Sequence, residues 1–193
     1  MSSKRMFIAF SFDEEIKQRI TQSQNTLRNE MPTGIKWVGA ESFHITAKFL
    51  GDTDEHLIPQ ITQIMEETLA EQQRQQIQLK ELGVFPTKKN PRILWLGTIG
   101  AKELLNHVHS QLENNLENLG FAKETKFSGF NPHITLGRVK HLPQNFFPVF
   151  EAHKDIFVTN CEINALTLYE SQSVQSGKYK KVIYKPLACV HIS

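Results

Sequence analysis

The 193-residue sequence predicts an α+β protein made of two related lobes, and three observations carry that reading. Apolar stretches of strand length alternate with segments of helical periodicity, so both element types are present. Connections late in the chain are hairpin-short, whereas parallel strands need crossovers of roughly a dozen residues or more. The tripeptide His-Ile-Thr occurs twice, as His44-Ile45-Thr46 and His133-Ile134-Thr135, each time inside an apolar, strand-like stretch. The repeat suggests two pseudo-symmetric lobes, each an antiparallel sheet backed by helices, with the active-site cleft between them. No Gly/Ser linker or low-complexity run divides the chain, so residues 1–193 are read as one domain.

Arg5 to Ser11, rich in Phe and Ile, reads as the first strand. Asp13 caps a helix to about Leu27, with Glu14 and Glu15 at the end where the helix dipole favours negative charge. Met31-Pro32-Thr33-Gly34 breaks it. Strands follow at Ile35 to Val38 and at Phe43 to Leu50, the second ended by Gly51-Asp52. Thr53 or Asp54 caps a second helix through about Gln73, with Leu57, Ile61, Ile64, Met65 and Leu69 on one face. Gln76 to Val84 and Arg92 to Ile99 are strands joined by the turn-rich Pro86 to Pro91. Lys102 to Leu119 is a third amphipathic helix, and Gly120 suits the position just past its end. Further strands are expected around Lys126 to Phe130, His133 to Val139, Ile156 to Ile163, Ala165 to Tyr169 and Lys178 to Pro186, with Pro143 to Pro148 as a loop.

Hydrophobic residues make up 39% and charged residues 22% of the chain, the balance of a globular protein rather than a disordered one. A net charge of +2 is too small for a broad nucleic-acid surface, yet compatible with a local basic cleft. Cys161 and Cys189 make no disulfide framework and read as small apolar residues. The opening MSSKRMFIAFSFDEE holds an apolar run too short for a signal peptide or a membrane span, so a cytoplasmic protein is expected.

Side chains alternate faces along a strand, so His44 shares a face with Thr46, and His133 with Thr135, while each Ile points the other way. Imidazole titrates near neutrality, and two of them across a pocket can serve as acid and base together. Lys48 shares parity with His44 and Thr46, which makes it a candidate phosphate cation or rim residue. Arg138 has the opposite parity to His133 and Thr135, and reaches the pocket only if Gly137 allows a bulge or a twist. His107 and His109 lie two apart on a helix and share no face, so they form no metal grip. His56, His141, His153 and His191 read as solvated surface positions. There is no His-Glu-x-x-His or Cys/His cluster, and no phosphate-cradling or dinucleotide-binding glycine loop. No metal and no cofactor is expected.

At these residues the sequence resembles the two-histidine phosphoesterase superfamily, and specifically its LigT-like RNA 2′,3′-cyclic phosphodiesterase branch, which includes proteins called 2′–5′ RNA ligases. The family's two His-x-Thr-x motifs are met by His44-Ile45-Thr46-Ala47 and His133-Ile134-Thr135-Leu136. Arg5 to Ala9 resembles the opening strand, Lys36-Trp37-Val38 the Arg-Trp-Val lead, and Phe49-Leu50-Gly51 the sequel of the first motif. Gly83 to Pro86 with Pro91 to Gly97 resembles the middle hairpin, Phe130 to Arg138 the second motif, and Ser171 to Tyr179 with Gly177 the closing segment. Lys36 stands in place of Arg, Ala47 in place of a larger apolar residue, and Gly137 where Ala is common.

The resemblance implies attack of water on a terminal 2′,3′-cyclic phosphate, leaving a 2′-phosphate. It implies His44 as general acid, His133 as general base, Thr46 and Thr135 as donors to phosphoryl oxygens, and Arg138 as a substrate-binding cation. It also implies RNA ends or nucleotides bearing the cyclic phosphate as partners, tRNA fragments among them, acted on by a monomer without a metal. Opening or joining of 2′–5′ bonds and non-catalytic binding of RNA ends are the competing readings. Phe10, Trp37 or Phe49 are candidates to stack on a base, though each also suits a core.

Overall fold

The computed structural model describes residues 3–124, 129–176 and 179–192. In chain order the elements are β1 (Ser3–Ser11), α1 (Glu14–Glu30), β2 (Ile35–Trp37), β3 (His44–Asp54), α2 (Ile58–Leu69), β4 (Gln75–Thr87), β5 (Asn90–Ile99), α3 (Lys102–Glu117), β6 (His133–Val139), α4 (Phe146–His153), β7 (Phe157–Ile163), β8 (Ala165–Ser176) and β9 (Tyr179–His191). Short 3-10 turns at Ala40–Ser42 and Glu55–Leu57 lead into β3 and α2.

The strands form one antiparallel sheet in the order β7-β4-β5-β6-β3-β1-β8-β9, with β2 laid beside β6. The two expected sheets are the halves of this continuous one, and they meet where Ile45 of β3 pairs with Ile134 of β6. The helices change sides. α1, which follows β1 in sequence, packs on β7 of the other half, while α3, which follows β5, packs with α2 beneath β3. The sheet's inner face carries the core, with Ile8, Phe10, Ile45, Leu79, Leu94, Ile134 and Leu168 against Ile20 and Leu27 of α1, Met65 of α2 and Leu112 of α3. Among the described residues no helix is long and apolar enough to cross a membrane.

Local rules account for the helix ends. The Asp13 carboxylate accepts the Ile16 N–H at 2.9 Å and caps α1 as expected. Asp54 caps the 3-10 turn instead of α2, accepting the His56 N–H at 3.2 Å. Gly120 takes φ +89°, a left-handed conformation natural to glycine, and closes α3.

Three expectations change. Pro143 to Pro148 runs into α4, where Phe146, Val149 and Phe150 are buried at helical spacing. Pro148 lies in the first turn of that helix, where the missing N–H costs little. The final hairpin of β8 and β9 extends to Ser176 and His191, well past the expected ends. The strand expected around Lys126 falls partly outside the described residues, and Gly129 and Phe130 are not extended into a ladder. Gly177 also lies outside them. Cys161 is buried as expected, whereas Cys189 is exposed.

Candidate active site

Ile45 and Ile134 are fully buried beneath the seam of the two half-sheets. Their neighbours must therefore point to the opposite, open face, which places His44, Thr46, His133 and Thr135 together over the seam. Antiparallel pairing about Ile45 and Ile134 sets His44 beside Thr135 and Thr46 beside His133.

The His133 ring is held by the backbone two residues before it. His133 Nδ1 donates to the Asn131 carbonyl at 2.8 Å, which leaves Nε2 free. The Ser42 backbone near His44 raises that imidazole's affinity for a proton, and His44 Nε2 lies 3.0 Å from the Thr46 hydroxyl. Aromatic rings wall each histidine. His44 sits 4.9 Å from Phe7 and edge-on to Tyr184 at 5.3 Å, and His133 is edge-on to Phe85 at 4.9 Å. Burial pushes the His44 imidazole down to about 4, and the charge of His133 adds to the effect. Burial lowers His133 as well, partly offset by its bond to Asn131.

The sheet carries a bulge three residues after each histidine. In β6, Leu136 and Gly137 together oppose the single step from Trp95 to Leu94. The extra residue reverses parity, so Arg138 returns to the face of His133 and Thr135, exposed to solvent. Gly137 suits the bend because an added Cβ would meet Ile35 Cγ2 at 2.6 Å. In β3, Ala47 and Lys48 oppose the step from Ala9 to Ile8. Here the same reversal turns Lys48 into the core and Phe49 out to the cleft face.

Lys48 is therefore corrected as a substrate cation. Its side chain is 2% exposed, and its ammonium lies 2.8 Å from Glu113 Oε2 on α3. It also donates to the Ala122 carbonyl at 2.6 Å. Among the aromatic candidates, Phe10 is core and Trp37 half-buried, while Phe49 is 68% exposed.

Two polar residues gain a part that the sequence did not give them: Gln24, and His109, which read only as a helix histidine outside any metal site. Gln24 of α1, itself buried, donates to the bulge carbonyl of Leu136 at 2.8 Å and to Val38 O at 3.0 Å. His109 of α3 donates from Nδ1 to the bulge carbonyl of Ala47 at 2.8 Å and stacks on Phe130 at 4.4 Å. Each bulge thus has its carbonyl satisfied by a helix side chain. The sequence signal was a polar residue on an otherwise apolar helix face. Among the described residues, no three His, Cys, Asp or Glu side chains converge as a metal site.

Residues 11–95 match the family model described as LigT like Phosphoesterase. The chain is 32% identical over 181 residues to an RNA 2′,3′-cyclic phosphodiesterase of Methanocaldococcus jannaschii, covering 93% of this chain and 98% of that one. Its fold matches a crystal structure from Thermus thermophilus with a TM-score of 0.78 at 21% identity, over 97% of each chain. Escherichia coli LigT, solved with 3′-AMP, matches with a TM-score of 0.75 at 20% identity, over 100% of this chain and 99% of that one. Two His-x-Thr strands joined at one seam, in a chain this similar along nearly its whole length, belong to the LigT-like phosphoesterase family.

Proposed function

We propose that this chain is an RNA 2′,3′-cyclic phosphodiesterase that uses His133 as general base and His44 as general acid. The observation that carries the reading is the pair of imidazoles over one seam, His133 held through Nδ1 by Asn131 and His44 with Nε2 beside the Thr46 hydroxyl. Water attacks phosphorus and gives its proton to His133 Nε2. The bond from phosphorus to the 3′-oxygen breaks, and His44 gives that oxygen its proton. The product carries a 2′-phosphate and a free 3′-hydroxyl. In-line displacement puts the entering and leaving oxygens on opposite sides of phosphorus, and two histidines related across a seam match that symmetry. Each proton transfer is worth about 10²–10⁴-fold.

Thr46 and Thr135 donate to the non-bridging oxygens, and Arg138 adds a guanidinium whose fork suits phosphate. In the free enzyme, burial favours the neutral form of both imidazoles at pH 7. A bound phosphodiester anion reverses the balance, because a nearby negative charge favours the imidazolium. Substrate binding thus lets His44 take from solvent the proton that it later gives to the 3′-oxygen. The relatives named for this activity and the 3′-AMP held by E. coli LigT support a nucleotide phosphate as the ligand. On this reading the protein is a cytoplasmic monomer that acts on RNA ends such as tRNA fragments.

The test is product identity. The protein is incubated with nucleoside 2′,3′-cyclic phosphates, a cyclic-phosphate-ended RNA and a 2′–5′ dinucleotide, and products are identified by phosphorus NMR. A 2′-phosphate from the cyclic substrates is expected. A 3′-phosphate, or tight binding without turnover, overturns the reading. Faster cleavage of the 2′–5′ dinucleotide would assign the site to that bond instead.

A further inference from the structure

Lys36 of β2 is the direct cross-strand partner of Arg138 of β6. Residues opposite one another in an antiparallel pair share a face, so both cations stand on the face of His133 and Thr135. Both are exposed, and among the described residues neither makes an ion pair or a hydrogen bond through its side chain. Like charges placed directly opposite destabilise a sheet. Nothing described in the protein relieves this pair, and an anion in the cleft would.

The position of the pair matters as much as its charge. Arg138 is five residues after His133, and Phe49 is five residues after His44. The two bulges turn both to the open face, so they are equivalent places about the Ile45–Ile134 seam. One end of the cleft is doubly cationic, and the other presents a ring that is 68% exposed. A mononucleotide cyclic phosphate has one anionic group, which Thr135 and Arg138 already serve. Lys36 lies one strand further from Thr135 than Arg138 does, and its charge remains for a second phosphate.

We infer that Lys36 holds the phosphodiester that precedes the terminal nucleotide. The preferred substrate is then an RNA chain end of at least two nucleotides rather than a free cyclic mononucleotide. The terminal base lies toward Phe49, and the chain leaves past Lys36. This inference rests on the cyclic-phosphodiesterase reading of the same site.

The experiment compares a nucleoside 2′,3′-cyclic phosphate with a dinucleotide ending in the same nucleoside cyclic phosphate. Wild type, Lys36→Gln and Lys36→Arg are each assayed on both. Wild type should favour the dinucleotide in kcat/KM. Lys36→Gln should reduce that preference roughly tenfold, the scale of one hydrogen bond to a charged group, and Lys36→Arg should restore it. An equal loss on both substrates, or an unchanged preference, overturns the inference. Dissociation constants of the 2′-phosphorylated mononucleotide and dinucleotide give the same comparison without turnover. If wild type hydrolyses neither cyclic substrate, the parent reading fails, and the two constants still decide whether Lys36 meets a second phosphate.

Discussion

Ile45 pairs with Ile134 across the seam of the sheet, so the middle residues of the two His-Ile-Thr copies are each other's partners. One contact thereby sets the relation between the catalytic candidates, because each histidine stands beside the threonine of the other copy. Under the proposed roles acid and base are separate groups, and removing either should stop one proton transfer. His44→Ala and His133→Ala should each lower kcat by about 10²–10⁴-fold, and the double variant should lose far less than the product of the two losses. Thr46→Ala and Thr135→Ala should cost less than either. Steady-state kinetics on a cyclic mononucleotide measures all five, and full activity without either imidazole sinks the assignment.

Burial lowers both imidazoles in the free enzyme, His44 to about 4 from an ordinary 6.5. The profile of kcat/KM reports the free enzyme and that of kcat the complex, in which the bound anion raises both groups. Both profiles should be bell-shaped, with the kcat bell displaced to higher pH. Stability follows the same shift. Between pH 6.5 and about 4 the unfolded chain takes up a proton at His44 that the folded chain refuses, so stability falls as pH drops through that window. His44→Gln should flatten this fall in denaturant titrations. Coincident bells would show that the bound anion does not raise these groups.

The histidines and threonines were legible because they obey simple strand alternation. Arg138 was legible only through the bulge that Gly137 allows, and Lys48 was not, because an inserted residue reverses parity at and beyond a bulge. Gly137 signalled the bulge in β6. Ala47 gave no such signal in β3, and Lys48, charged by sequence, read as a surface residue until Glu113 appeared as its buried partner. Helix α4 was hidden by Pro148, although Phe146, Val149 and Phe150 already kept helical spacing. The α+β class needed none of these details, since periodicity and hairpin lengths carry it.

The bulge that delivers Arg138 has its Leu136 carbonyl held by Gln24. Gln24→Leu removes the donor while keeping most of the volume, and leaves a buried carbonyl one partner short. The expected cost is about 1–3 kcal/mol in urea unfolding. If Gln24 positions Arg138, KM for the cyclic substrate rises while the pH bell stays in place, and Gln24→Glu does not rescue it because a carboxylate cannot donate. An unchanged KM would limit Gln24 to a structural part.

Lys48 and Glu113 form a buried ion pair, further satisfied by the Ala122 carbonyl. Lys48→Met leaves the Glu113 carboxylate without its counter-charge, which should destabilise the protein by about 3–5 kcal/mol. Lys48→Met with Glu113→Leu should recover much of that loss, because the pair and an apolar pair differ little. Chemical denaturation of the two variants tests the sign. A large fall in substrate affinity at temperatures where Lys48→Met is fully folded would return Lys48 to the cleft.

Phe49 is exposed on the cleft face and touches Phe7, which itself lies against His44. An apolar ring left open on the cleft face gains little from folding, and every nucleobase offers a face on which it can stack. Phe49→Ala should then raise KM for a nucleoside 2′,3′-cyclic phosphate by roughly 5- to 100-fold, the range of one base stacked on one aromatic ring. Phe49→Trp should restore binding, while Phe49→Leu, apolar but not aromatic, should not. The baseless control is ribose 2′,3′-cyclic phosphate, on which Phe49→Ala and wild type should agree within about twofold. Purines should lose more than pyrimidines, since they cover more of the ring. Equal loss on the baseless substrate would make Phe49 a support for Phe7 and His44 rather than a platform for the base.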